Sequence, residues 1–147
     1  ALMRHRTPDL STIVSNITLE HEGVSASYVC YLFENTTISL PKLQLANRDS
    51  ALFTAMRGSV LSPISMPSDL SDTHSALCEK AQWGDRMLGD NEIKSILTSM
   101  DAESLRWLET DDCHILIVCQ NFHPEVIRLG KMLFHHFAQY RYRKANS

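Results

Sequence analysis

The chain has 147 residues, 44% of them hydrophobic and 21% charged, with a formal net charge of −3. These values suit one globular domain with a real core and exclude disorder along the whole chain. No window approaches the ~18 continuous apolar residues of a membrane span, no stretch reads as a secretory leader, and a nonspecific DNA coat would be basic throughout.

Charge is unevenly placed. Residues 1–68 balance five basic against five acidic side chains, residues 69–112 set four against eleven, and residues 113–147 set five against one. The only strongly basic end is therefore the C-terminal one. The four cysteines, Cys30, Cys78, Cys113 and Cys119, form no C-x-x-C pair and are too sparse for a disulfide scaffold. Reduced thiols in the cytoplasm are the expectation. Asn16-Ile17-Thr18 and Asn35-Thr36-Thr37 match the glycosylation pattern at a rate near chance.

After a polar arm at 1–9, Leu10, Ile13, Val14 and Ile17 keep the spacing of one helix face. Gly23 interrupts. Tyr28, Val29, Tyr31, Leu32 and Phe33 form an apolar cluster whose period does not separate helix from buried strand. Pro41 suits the first turn of a helix, with Leu45, Leu52, Phe53 and Met56 as its stripe and Gly58 just past its end. Residues 58–75, rich in Ser and with Pro63 and Pro67, read as a long surface loop inside one fold. Ala76 to Trp83 reads as a short helix ended by Gly84.

Ile93, Ile96, Leu97 and Met100 repeat the helical spacing behind a cap at Asp90 or Asn91. Asp101 reads as a second cap, with Leu105 and Leu108 as the next apolar pair. The run Ile115-Leu116-Ile117-Val118 is the expected extended exception. A last helix opens at Pro124 and carries Val126, Leu129, Leu133, Phe137 and Tyr140 on one face. These patterns predict an all-α single domain over 1–147, with helices near 10–20, 42–57, 91–100, 102–110 and 124–142, the last of them basic.

Cys113, His114, Cys119, His123, His135 and His136 are potential metal ligands, but Cys113-x5-Cys119-x3-His123 is not the spacing of a common zinc module. Adjacent histidines on a helix point about 100° apart. The expectation is no metal, no cofactor and no enzyme, since no nucleophile elbow, phosphate loop or carboxylate pair stands out. The pair 91–100 and 102–109 reads as a packing hairpin rather than a helix-turn-helix, because its second helix sets only Arg106 against Glu103 and Glu109. The candidate nucleic-acid surface is the C-terminal helix: Arg128, Lys131, Arg141, Arg143 and Lys144, interleaved with Tyr140 and Tyr142. The competing reading is a solvated helix end.

Two patches resemble the FlhD family, the helical subunit of the bacterial flagellar master activator. They are Arg48-Asp49-Ser50-Ala51-Leu52-Phe53, with Ser27-Tyr28 ahead of it, and Asn91 to Phe122 with Leu105-Arg106-Trp107-Leu108-Glu109-Thr110 and Val118-Cys119-Gln120-Asn121-Phe122. The stretch 58–75 departs from the family as an insertion. The resemblance implies a cytoplasmic homodimer that pairs with a zinc-bearing FlhC-like subunit, binds promoter DNA and recruits RNA polymerase. It also implies a dimer interface at Cys119, Phe53 and Leu52, where Cys119 matches a family cysteine able to form an intersubunit disulfide. The alternative is a helical adaptor or chaperone for a protein partner, for example in a secretion system.

Overall fold

A computed structural model describes residues 3–6, 10–50, 61–66, 70–100 and 105–145, with the backbone alone given for Met3, His5, Arg6, His21 and 141–145. The strands are β1 (Met3–Arg6), β2 (Ser11–His21), β3 (Val24–Glu34), β4 (Leu40–Asn47), β5 (Ser62–Ile64), β6 (His74–Cys78), β7 (Leu105–Asp112) and β8 (His114–Cys119). Three helices join them: α1 (Ala81–Gly89), α2 (Asn91–Ser99) and α3 (Pro124–Ala145). All eight strands make one antiparallel sheet in the order β1-β2-β3-β8-β7-β4-β6-β5. The all-α expectation is overturned: the fold is mainly β, with three helices packed on one face.

β1, β2 and β3 form a meander. Glu22 and Gly23 make the two-residue turn between β2 and β3, both at positive φ, 51° and 79°. That conformation matches the strand twist, and glycine adopts it without cost. The C-terminal hairpin β7–β8 then inserts between β3 and β4. It occupies the centre of the sheet, and Ile115–Cys119 is apolar on both faces: Ile115, Ile117 and Cys119 enter the main core, while Leu116 and Val118 join a small cluster on the other side.

The segment expected as a helix over 10–20 is β2. Its apolar residues serve two faces: Val14 is buried toward the helices, while Ile13 and Ile17 lie on the other side. Two interleaved period-2 sets imitate the i, i+3, i+4 spacing. The helix expected over 42–57 begins as β4, and 51–57 lies outside the described residues. The helix expected over 102–110 is β7 from Leu105 onward.

Both β4 and β7 carry a bulge, and in β7 it creates the false helical spacing of Leu105 and Leu108. Leu40 and Leu43 pair with Asp112 and Thr110, so three steps on β4 match two on β7. Leu105 and Trp107 pair with Cys119 and Val118, so two steps match one. An extra residue keeps Leu40 and Leu43, and Leu105 and Leu108, on the same face at i, i+3. The Thr110 hydroxyl, fully buried, donates to the Pro41 carbonyl at 2.7 Å beside the first bulge.

Within the expected loop 58–75, Ser62–Ile64 is the edge strand β5, where Pro63 costs no ladder bond needed by the sheet. Ala76–Trp83 is divided between β6 and α1, with Gly84 inside α1 rather than after it. Arg48, inside the helix expected over 42–57, lies in the turn after β4 and donates to the carbonyls of Ser71, Asp72 and His74.

α2 and α3 lie where their periodicity predicts. Asp90 caps α2 by accepting from the backbone N–H groups of Glu92 and Ile93 at 2.9 and 3.1 Å. Its other oxygen accepts from the Tyr140 hydroxyl at 2.5 Å, tying α2 to α3. That hydrogen bond holds the Asp90 carboxyl below its ordinary value. α3 seats Leu129, Leu133, Phe134 and Phe137 over Val29, Tyr31, Phe33 and Ile117 in the main core. Gly130 makes that approach possible, since a Cβ there would fall inside the Phe33 ring.

Candidate functional site

The seam where α3 meets the sheet holds an open cavity of about 130 Å³, lined by Ser99, Met100, Cys119, His123, Glu125, Val126 and Leu129. Each lining residue comes from the end of an element. Ser99 and Met100 close α2, Cys119 closes β8, and Glu125, Val126 and Leu129 belong to the first turns of α3. His123 sits in the short connection between β8 and α3.

That connection is clamped from β3. The Tyr31 hydroxyl accepts from the His123 backbone N–H at 2.7 Å and donates to the His123 carbonyl at 3.4 Å. The exposed Phe122 ring stacks on Tyr31 with centroids 6.2 Å apart. Burial raises the Tyr31 hydroxyl above its ordinary pKa, so it stays a neutral donor. The cavity wall is apolar at Met100, Cys119, Val126 and Leu129, and polar at Ser99, His123 and Glu125. His123 Nε2 is buried and has no hydrogen-bond partner among the described residues. It is therefore not poised as a base on the Cys119 thiol. Glu125 is exposed and bound to Arg128, whose hydrogen bond lowers its pKa.

A second cluster lies at the other end of β8. The β7–β8 turn is two residues long, with Asp112 at φ 54° and Cys113 following. The side-chain ligand atoms of Glu34, Cys113 and His114 lie within 4.8 Å of one another, and so do those of Glu109, Asp111 and His114. Burial, reinforced by Glu34, Asp112 and Asp111, raises the Cys113 thiol above its ordinary pKa. Lys42 sits 3.7 Å from Asp111.

The potential ligands seen in the sequence are thus separated. Cys113 and His114 open β8, Cys119 and His123 close or follow it, and His135 and His136 face Gln139 and Glu92 on the helices. The carboxylates beside His114 come from β3 and β7, and no spacing along the chain could show that. Cross-strand register is the signal that brings them together.

Of the five basic residues of α3, the side chains of Arg128 and Lys131 are described. Arg128 is ion-paired with Glu125, and Lys131 is half-buried. Arg141, Arg143 and Lys144 continue the helix, but their side chains lie outside the description. Of the expected dimer contacts, Leu52 and Phe53 lie outside the described residues. Cys119 is 1% exposed in the chain's own core.

No family model and no curated protein matches the chain. Among solved structures it is similar to the mycobacterial trehalose monomycolate transport factor A, TtfA. The TM-score is 0.52 at 6% identity, covering 91% of this chain and 74% of that one. The likeness is one of fold. With the antiparallel sheet, it overturns the FlhD resemblance and the FlhD-type transcriptional activation read from it. The helical-adaptor alternative falls with the all-α fold.

Proposed function

We propose that this chain is a non-catalytic binding domain whose cavity between α2, β8 and α3 takes a small, mainly apolar group bearing one hydrogen-bonding atom. The observation that carries this is His123 Nε2, buried without a hydrogen-bond partner among the described residues, in a residue lining a cavity that is apolar apart from Ser99 and Glu125. Buried polar atoms are rarely left unpaired, because each costs about 1–3 kcal/mol. A ligand atom that reaches it after a rotation of the His123 ring recovers part of that cost. At about 130 Å³ the cavity approaches the ~150 Å³ apolar cavity size known to admit benzene. The fit is therefore to one ring or a short branched chain. TtfA is by name a trehalose monomycolate transport factor. Its likeness to this chain concerns the fold, and the cavity is what supports binding here.

The free thiols of Cys30, Cys78, Cys113 and Cys119 suit a reducing compartment, and we place the domain in the cytoplasm. None of its helices is long and apolar enough to cross a membrane, among the described residues.

The test uses two probes of one shape, p-cresol and toluene, followed by amide chemical shifts. Both are expected to move the amides of Ser99, Met100, Cys119, His123 and Val126, with p-cresol binding more tightly through its hydroxyl. Ser99→Phe fills the cavity from its rim and should abolish both effects. Shifts that are absent at millimolar probe, or that survive Ser99→Phe, would overturn the proposal.

A further inference from the structure

At the end of β8 remote from the cavity, the sheet register places a set of metal-ligating atoms. His114 opens β8 and stands directly across from Glu34 on β3 and from Asp111 on β7. Cys113 is the second residue of the turn between those strands. The turn is fixed to β3, since the Asn35 backbone N–H donates to the Cys113 carbonyl at 2.9 Å. Asn35 is itself held in a tight turn, its side-chain oxygen accepting from the Thr37 N–H and hydroxyl at 2.9 and 2.6 Å. The three residues are thus positioned by backbone pairing, before any ligand arrives.

The ligand atoms of Glu34, Cys113 and His114 lie within 4.8 Å of one another, and all three residues are half-buried. Tetrahedral zinc with bonds of about 2.0–2.3 Å needs ligand separations of roughly 3.3–3.8 Å. Small side-chain rotations close that difference. The donor set is one sulfur, one nitrogen and one oxygen, which suits zinc-class divalent ions and not the all-oxygen preference of magnesium or calcium. Charge agrees. Glu34, Glu109, Asp111 and Asp112 crowd this corner, and Glu34 meets no lysine or arginine among the described residues. Lys42 is engaged with Asp111, on the far side of His114. The second set, Glu109, Asp111 and His114, shares His114 but lacks the sulfur and already holds the Lys42 ammonium.

We infer that Glu34, Cys113 and His114 form a binding site for one zinc-class divalent ion, with water in the fourth position. The ion neutralises the acidic corner and pins the β7–β8 turn to the end of β3. This site is independent of the cavity, so failure of one proposal leaves the other standing.

The test is direct metal binding to the reduced, chelator-treated full chain. Zinc is titrated against a chromophoric chelator, and cobalt(II) serves as the spectroscopic probe. One ion per chain is expected, with a thiolate-to-cobalt charge-transfer band and the intense visible bands of a tetrahedral site. Cys113→Ser should remove the thiolate band and weaken zinc at least about tenfold, since even the loss of supporting residues costs 10–100-fold. Glu34→Gln should weaken zinc comparably while keeping the band. Cys30→Ser, on the same sheet face, should leave both unchanged. No stoichiometric binding in competition with a micromolar chelator would overturn the inference. A thiolate band that survives Cys113→Ser would do the same. So would zinc affinity lost in Glu109→Gln but kept in both Cys113→Ser and Glu34→Gln, which would move the ion to the other carboxylates.

Discussion

Leu116 and Ile117 are neighbours in β8 with opposite fates. Ile117 points to the helices, is fully buried, and belongs to the main core with Tyr31, Phe33, Leu108 and Phe137. Leu116 points to the other face and is half-buried at the border of a small cluster of Tyr28, Ala46, Trp107 and Val118. No described helix crosses that second face. The two faces are therefore built from similar residues and differ in what lies over them. Stability should follow the covering layer, not the hydrophobicity of the residue.

The largest effect should come from the covered face. Ile117→Ala is expected to cost about 2–5 kcal/mol, because α3 cannot collapse into the gap above it. Denaturant unfolding measures this directly. A loss below about 1 kcal/mol would mean that α3 packs loosely on the sheet.

The same two-faced character explains what the sequence showed and what it hid. α2 and α3 were legible, since one apolar stripe faces one sheet and Asp90 and Pro124 mark the starts. β8 was legible as the extended exception. β2, β4 and β7 were not. Apolar residues on both faces of β2, and the bulge in β7, produce helical spacing without a helix, while the stripe through β4 runs on from Leu45 to Leu52, Phe53 and Met56, outside the described residues. A usable signal lay in β2 all the same: Thr12, Ile13, Val14, Ile17 and Thr18 are β-branched, a composition that favours strands. The described parts of the patches that resemble FlhD fall on β3, on the turn after β4, and on α2, β7 and β8, so the short identities span a different fold. The candidate sites were partly visible as residue types. Cys113, His114, Cys119 and His123 were singled out, but their grouping depends on strand register and on Tyr31 and Glu34 from β3.

An intermediate effect should come from a polar group under the covering layer. His74 is 1% exposed. Its Nε2–H donates to the Leu105 carbonyl at 2.9 Å, which leaves Nδ1 to accept from the Thr73 hydroxyl at 2.7 Å. Burial lowers its pKa from the ordinary 6.5, the Leu105 carbonyl pulls it upward, and Arg48 and Arg106 push it further down. The folded state therefore keeps His74 neutral where the unfolded state takes up a proton. Its contribution is complete above pH 6.5 and is lost as pH falls from there toward the folded-state pKa. The wild-type melting temperature should fall between about pH 7.5 and 5.5, and that of His74→Asn should fall by a few degrees less, at about 2–4 °C per kcal/mol for this size. Parallel curves for the two proteins would remove His74 as the source.

The smallest effect should come from the uncovered face. Leu116→Ala removes the same kind of group as Ile117→Ala, one residue away on the same strand. Leu116 still meets water in the folded chain, so folding buries less of it, at about 25 cal/mol per Å² of apolar surface. The gap left by truncation opens to solvent, so no sealed cavity adds to the loss. The expected cost is under about 1 kcal/mol in dilute solution, with the denaturant slope unchanged. A cost equal to that of Ile117→Ala would mean that this face is covered in solution. In that case the loss should also depend on protein concentration if the cover is a second copy, and should be independent of it if the cover is the chain itself.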